Sequence, residues 1–223
     1  MLKKVILAGL LVVSGANAGM FDSVVSAVGG GSTAKAVDGN ALDSTIQNYV
    51  TAKALLQKSS EALSKAILSK EESGKFESAL KAAESISDPK EKDAAISKAV
   101  SDVQTALKAA TESKQTIEQV KKADKKTREQ LAVGGFNFML SGLKYKDTLT
   151  SAKDMVSSLS SNPTAAMQYA SQLGQLKDMV TTLPESVTSI ATIGSKLVDL
   201  YKAGKVNFAA PTSSSQAPKE SSK

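Results

Sequence analysis

The chain has 223 residues, with 28 Lys and Arg against 22 Asp and Glu, a net charge of +6, and 41% apolar residues of which few are aromatic. It contains no histidine and no cysteine, which excludes disulfides, thiol nucleophiles, imidazole bases and the usual His/Cys sites for zinc, copper and haem. With no tryptophan, a core must be built from Ala, Leu, Val and Ile, a composition suited to closely packed helices.

Residues 1–18 have the layout of a secretory signal peptide. Lys3 and Lys4 form a basic start, Val5 to Val13 is a short apolar run, and Ala16-Asn17-Ala18 supplies small residues at the cleavage positions. The apolar run is too short to cross a bilayer as a helix. Cleavage is expected after Ala18, giving a periplasmic or secreted bacterial protein, and no cysteine follows that could carry a lipid anchor. The signal lysines and the lysines of the last nineteen residues carry most of the excess charge, so the body between them is close to balanced. Nucleic acid is therefore not an expected partner.

Residues 19–38 read as a short apolar segment followed by a flexible joint at Gly29-Gly30-Gly31. A helical domain is expected over residues 39–204. Leu42, Tyr49, Leu56 and Leu63 recur every seven residues, with Ile46 and Ile67 on the interleaved track. A second helix is expected over Lys75–Ile86. Asp88-Pro89-Lys90-Glu91 then combines an N-cap, a first-turn proline and a capping-box glutamate. The helix it opens carries Ile96, Val103, Ala110 and Ile117 on one track and Val100 and Leu107 on the other. Nothing obvious stops it before Gly134, which would make a rod of about 65 Å. Gly134-Gly135 reads as the break, leaving open one bundle or two hairpins hinged there. The pattern resumes over residues 136–160. Asn162-Pro163 opens a helix over Ala165–Thr181, and Thr182-Leu183-Pro184-Glu185 opens a last one carrying Val187, Ile190, Ile193, Leu197 and Leu200. Residues 205–223, rich in Ser, Pro and Lys, read as a disordered tail. The expected fold is all-α, an elongated multi-helix bundle with coiled-coil-like seams.

Two segments stand out as candidate sites. Lys121, Lys122, Lys125, Lys126 and Arg128 form a dense basic cluster relieved by Asp124. It reads either as a solvated helix face or as a contact for an anionic surface, including peripheral contact with a membrane. Directly after it, residues 131–143 bring together Phe136, Phe138, Met139, Leu140 and Leu143 with three glycines. They read either as the buried centre of the bundle or as a ligand- or partner-binding surface. Serine followed three residues later by lysine occurs at Ser32, Ser78, Ser87 and Ser141, as often as composition alone produces. No catalytic residues, metal site or cofactor are expected. The expected function is that of an exported, non-enzymatic α-helical binding protein of the bacterial cell envelope, a scaffold, adaptor or chaperone-like protein with an envelope protein as partner. The alternative is a periplasmic carrier of lipid or another hydrophobic ligand, with its pocket around residues 131–143.

Overall fold

A computed structural model describes residues 38–220, which lie within one compact unit. The expected signal peptide and the glycine joint fall outside the described residues. Seven helices follow in order: α1 Gly39–Ile67, α2 Lys70–Glu84, α3 Pro89–Thr111, α4 Lys114–Lys122, α5 Lys125–Ser160, α6 Pro163–Gln168 and α7 Ala170–Ala203. No strand occurs among the described residues, so the protein is all-α.

The helix starts follow local chemistry. Asp38 caps α1 by accepting from the Asn40 amide at 2.9 Å. Ser69 and Glu72 form a reciprocal capping box on α2, so this helix begins five residues before the expected Lys75. Asp88 accepts from the Lys90 and Glu91 amides at the start of α3, with Pro89 in the first turn as its fixed φ favours. Asn162 caps α6 in the same way, with Pro163 following.

Three expectations about helix ends are corrected. The rod from Pro89 to Val133 is three helices, broken at Glu112-Ser113 and again at Ala123-Asp124. Asp124 accepts from the Thr127 amide at 2.7 Å and so caps α5, a use of its carboxylate that outweighs its role as a counter-charge to the lysines. Gly134-Gly135 is not a break: α5 runs straight through it. Pro184 lies inside α7, and Thr182 donates back to the Asp178 carbonyl rather than capping a new helix. The proline removes one backbone donor, but Leu176, Met179, Leu183 and Ile190 bury one continuous face across it. That burial, about 1.5–3 kcal/mol per large side chain, outweighs the single lost bond.

The bundle is centred on α5, which packs chiefly against α1 and α7. Tyr145 stacks on Tyr49 of α1 and Gly134 faces Leu63, so α1 and α5 run antiparallel. Gly135 faces Tyr201, Met139 faces Gly194 and Gly142 faces Ile190, so α5 and α7 are antiparallel too. Helix α3 crosses to α7 through the Gln104–Ser189 hydrogen bond at 3.0 Å and the Glu112–Lys196 ion pair. The expected seven-residue tracks supply this core. Leu42, Leu56, Leu63, Val100, Val103 and Leu107 are all buried, and Tyr49, Ile96, Ala110 and Ile117 pack against them.

Two glycines in helix interiors have no such duty. An added Cβ at Gly74 or Gly174 meets nothing within 4 Å. Gly74→Ala and Gly174→Ala are each expected to raise stability by about 0.5–1 kcal/mol through backbone entropy and helix propensity, measured by urea titration.

Candidate functional site

The segment 131–143 splits between core and cover. Leu131, Phe138 and Leu140 are fully buried and Phe136 nearly so, whereas Met139 and Leu143 are half-buried. Phe138 belongs to the main core, while Phe136, Leu140 and Leu55 of α1 form a separate apolar cluster. The three glycines of the segment serve close approach. A Cβ on Gly135 would sit 2.6 Å from the Tyr201 ring and hydroxyl, and one on Gly142 would sit 2.6 Å from Ile190. Of the side chains proposed to line a ligand pocket, Phe136, Phe138 and Leu140 therefore pack against other side chains of the chain itself.

What covers the second cluster is the C-terminal segment, expected to be a disordered tail. Residues 205–220 are irregular but laid against α5, which corrects that expectation. Phe208 packs on Leu55, Phe136 and Leu140 and meets the Tyr201 ring edge-on at 5.0 Å. Further along, Ser214 accepts from Lys144 through its carbonyl and donates to Asp147 through its hydroxyl. Gln216 closes a turn by accepting from the Thr212 and Ser213 amides. The chain then returns, and Lys219 and Asn137 exchange two hydrogen bonds of 2.9 Å while the Lys219 ammonium lies 4.2 Å over the Phe136 ring. This strap is held by contacts with residues about 70–80 positions away, a kind of information that composition does not carry.

The start of the strap is held by the end of α7. Gly204 ends the helix, the Lys205 amide reaches the Lys202 carbonyl and the Val206 amide reaches the Tyr201 carbonyl. This is the Schellman pattern, in which the residue after the cap is left-handed and glycine is preferred. Here that residue is Lys205, with φ +55°, the one non-glycine residue with positive φ among the described residues. Gly204 itself has φ −84° and lies tight against Val120 of α4.

The basic cluster is divided by the α4–α5 corner. Lys121 and Lys122 end α4, where a cation suits the helix dipole. Lys121 pairs with Glu118 at 2.8 Å, and that pairing holds the Glu118 carboxyl below its ordinary range. Lys125 and Lys126 begin α5, with Lys125 4.0 Å from Glu129. Arg128 reaches back to donate to the Lys121 carbonyl at 2.8 Å, so its guanidinium ties the two helices together. Its Nε is buried and has no hydrogen-bond partner.

Lys125 and Arg128, but not Lys121, Lys122 or Lys126, line a groove of about 650 Å³ between the start of α5 and the strap. Lys205, Lys219 and Glu220 line it from the strap side and Glu129 from the α5 side. Ala132, Val133, Phe208 and Ala209 give it an apolar wall. The strap lysines thus join two of the five residues of the basic cluster around one concavity. Sequence reasoning missed them because a Ser/Pro/Lys composition reads as tail; the isolated Phe208 and Val206 within it were the available signal.

Buried phenols give the bundle an alkaline limit. Burial raises Tyr145 and Tyr201 well above the ordinary tyrosine value, and Tyr49 is raised by burial and then by Asp93 and Asp178. In the unfolded chain these groups ionise near pH 10. Above that pH the native state holds more protons than the unfolded state, so stability is full below about pH 10 and falls as pH rises further. Tyrosinate absorbance during an alkaline titration is expected to lag and then jump with unfolding, and Tyr145→Phe to move the jump upward. A smooth titration near pH 10 in a folded protein contradicts this.

Comparison of the chain with protein-family models, with curated proteins and with solved structures finds no match.

Proposed function

We propose that this is an exported, non-enzymatic α-helical binding protein of the bacterial cell envelope, working as a scaffold or adaptor, and that it binds through the face formed by α5 and the C-terminal strap. The observation that carries this reading is the groove, where Lys125, Arg128, Lys205 and Lys219 border an apolar wall of suitable size for a ligand or an inserted partner side chain. The absence of His and Cys supports a role in binding rather than catalysis. The layout of residues 1–18 supports export, with cleavage after Ala18. The regular seven-residue tracks fit a rigid helical support with coiled-coil-like seams.

The carrier reading keeps one specific support, the apolar wall of the groove, to which the segment 131–143 contributes Ala132 and Val133 and the strap contributes Phe208 and Ala209. The test is photocrosslinking in cells from position 207, an exposed residue of the groove, against position 102, an exposed residue outside it. Discrete adducts from 207 in an envelope fraction, on a chain whose N-terminus is Gly19, are the expected result. Equal, diffuse labelling from both positions, or a chain retained in the cytoplasm, contradicts the reading.

A further inference from the structure

We propose that the groove between α5 and the strap binds an anionic amphiphile, an oxyanion head joined to an apolar chain, with Arg128 and Lys205 holding the head. This deepens the binding-protein reading and rests on it. Three independent features of the groove point the same way.

The first is charge over an apolar wall. Four cations, Lys125, Arg128, Lys205 and Lys219, face two carboxylates, Glu129 and Glu220, leaving an excess of positive charge beside Ala132, Val133, Phe208 and Ala209. A volume of about 650 Å³ lies in the range of organic ligands and is far more than a bare inorganic anion fills. An apolar wall gives an inorganic anion nothing, but it suits a chain attached to the head.

The second is Arg128. Its guanidinium donates through one terminal nitrogen to the Lys121 carbonyl and its Nε is sealed from solvent, but the side chain lines the groove. A guanidinium is always charged and its planar fork matches the oxygens of a carboxylate or phosphate, and a charge-assisted bond is the strong kind.

The third is Lys205. At the left-handed position of a Schellman motif any L side chain is disfavoured relative to glycine, yet lysine stands there with φ +55°. The motif needs no side chain at this position, and Lys205 makes no ion pair among the described residues. Its ammonium is therefore dispensable for the turn and useful at the groove it lines. Backbone strain retained at such a point is a common mark of function.

The experiment titrates the full protein calorimetrically with three probes. Dihexanoyl phosphatidylglycerol, kept below its micelle concentration, carries head and chains. Dihexanoyl phosphatidylcholine carries the same chains on a head of zero net charge. Glycerol 3-phosphate carries the head alone. Saturable binding of the first, about tenfold or more tighter than either of the others, is the expected result. Lys205→Gly is expected to weaken that binding about three- to tenfold while leaving Tm unchanged or raised, because glycine suits the turn better. Arg128→Lys keeps the charge but loses the planar guanidinium fork, and is expected to weaken it similarly. Lys98→Gln, a charge change on an i,i+4 pair of α3 outside the groove, is expected to change nothing.

Equal affinity for the two lipids overturns the proposal, as does binding indifferent to Lys205→Gly and Arg128→Lys. Binding to phosphatidylglycerol vesicles but not to the monomer also overturns it, since the contact would then be a surface one. Tight binding of glycerol 3-phosphate alone overturns the role of the apolar wall. Failure with all probes while position 207 still yields discrete crosslinks removes this proposal and leaves the binding-protein reading standing; failure of both removes both.

Discussion

Phe138→Ala is expected to destabilise the protein by about 3–5 kcal/mol, the cost of a large cavity in a close-packed core. Phe138 is fully buried on α5, which packs against both α1 and α7. In a domain of this size the loss corresponds to a fall in Tm of roughly 6–20 °C. A urea midpoint within error of the parent would show that the segment is not the core of the bundle. It would also reopen Phe138 as a binding residue.

Gly135→Val is expected to cost about 2–4 kcal/mol, from about 1–3 kcal/mol of overpacking plus about 1 kcal/mol for a displaced hydrogen bond. The atom in the way is no flexible chain end. Tyr201 is 1% exposed, its ring meets Phe208, and its hydroxyl donates to the Leu131 carbonyl at 2.6 Å. Pushing the ring aside breaks that bond and disturbs the seat of the strap. The comparison with Gly174→Ala decides the cause. If glycine were merely a poor helix former at position 135, replacing it would raise stability as it should at position 174, whereas close approach predicts opposite signs at the two sites.

This pair of glycines shows where the sequence was legible and where it was not. Residues that act within one turn were readable: Asp88 with Pro89, and Asn162 with Pro163, start helices as their chemistry dictates. The seven-residue tracks of α1 and α3 were readable too, since periodic burial needs no knowledge of the partner helix. Gly134-Gly135 was not, because a glycine that breaks a helix and one that admits a neighbour are identical until Tyr201, 66 positions later, is in place. Pro184 was misread for a related reason. Its local signal is genuine, but the burial of Leu183 and Ile190 on one face outweighs it.

The candidate site was half legible. The basic cluster was found as a run of like charges, yet only Lys125 and Arg128 reach the groove. The tie from Arg128 to the Lys121 carbonyl depends on the α4–α5 corner, which in turn depends on Asp124 acting as a cap. The apolar run 131–143 was found as well, and its two readings are both partly realised. Phe138 is core, whereas Phe136 and Leu140 are the seat of a strap supplied by this same chain. Lys205 and Lys219 were legible only as charge. Their placement requires the Schellman turn at Gly204 and the paired bonds between Lys219 and Asn137.

The central claim is that the C-terminal segment is a built wall of the binding groove. Hydrogen–deuterium exchange over residues 206–220, with and without dihexanoyl phosphatidylglycerol, tests it most directly. The Lys219 amide, which donates to the Asn137 side-chain oxygen Oδ1, is predicted to exchange well below the free-peptide rate in the protein alone. Because ligand and strap share one groove, its protection is predicted to rise further when the lipid is bound. Exchange across the segment at the free-peptide rate, unchanged by the lipid, would contradict the account.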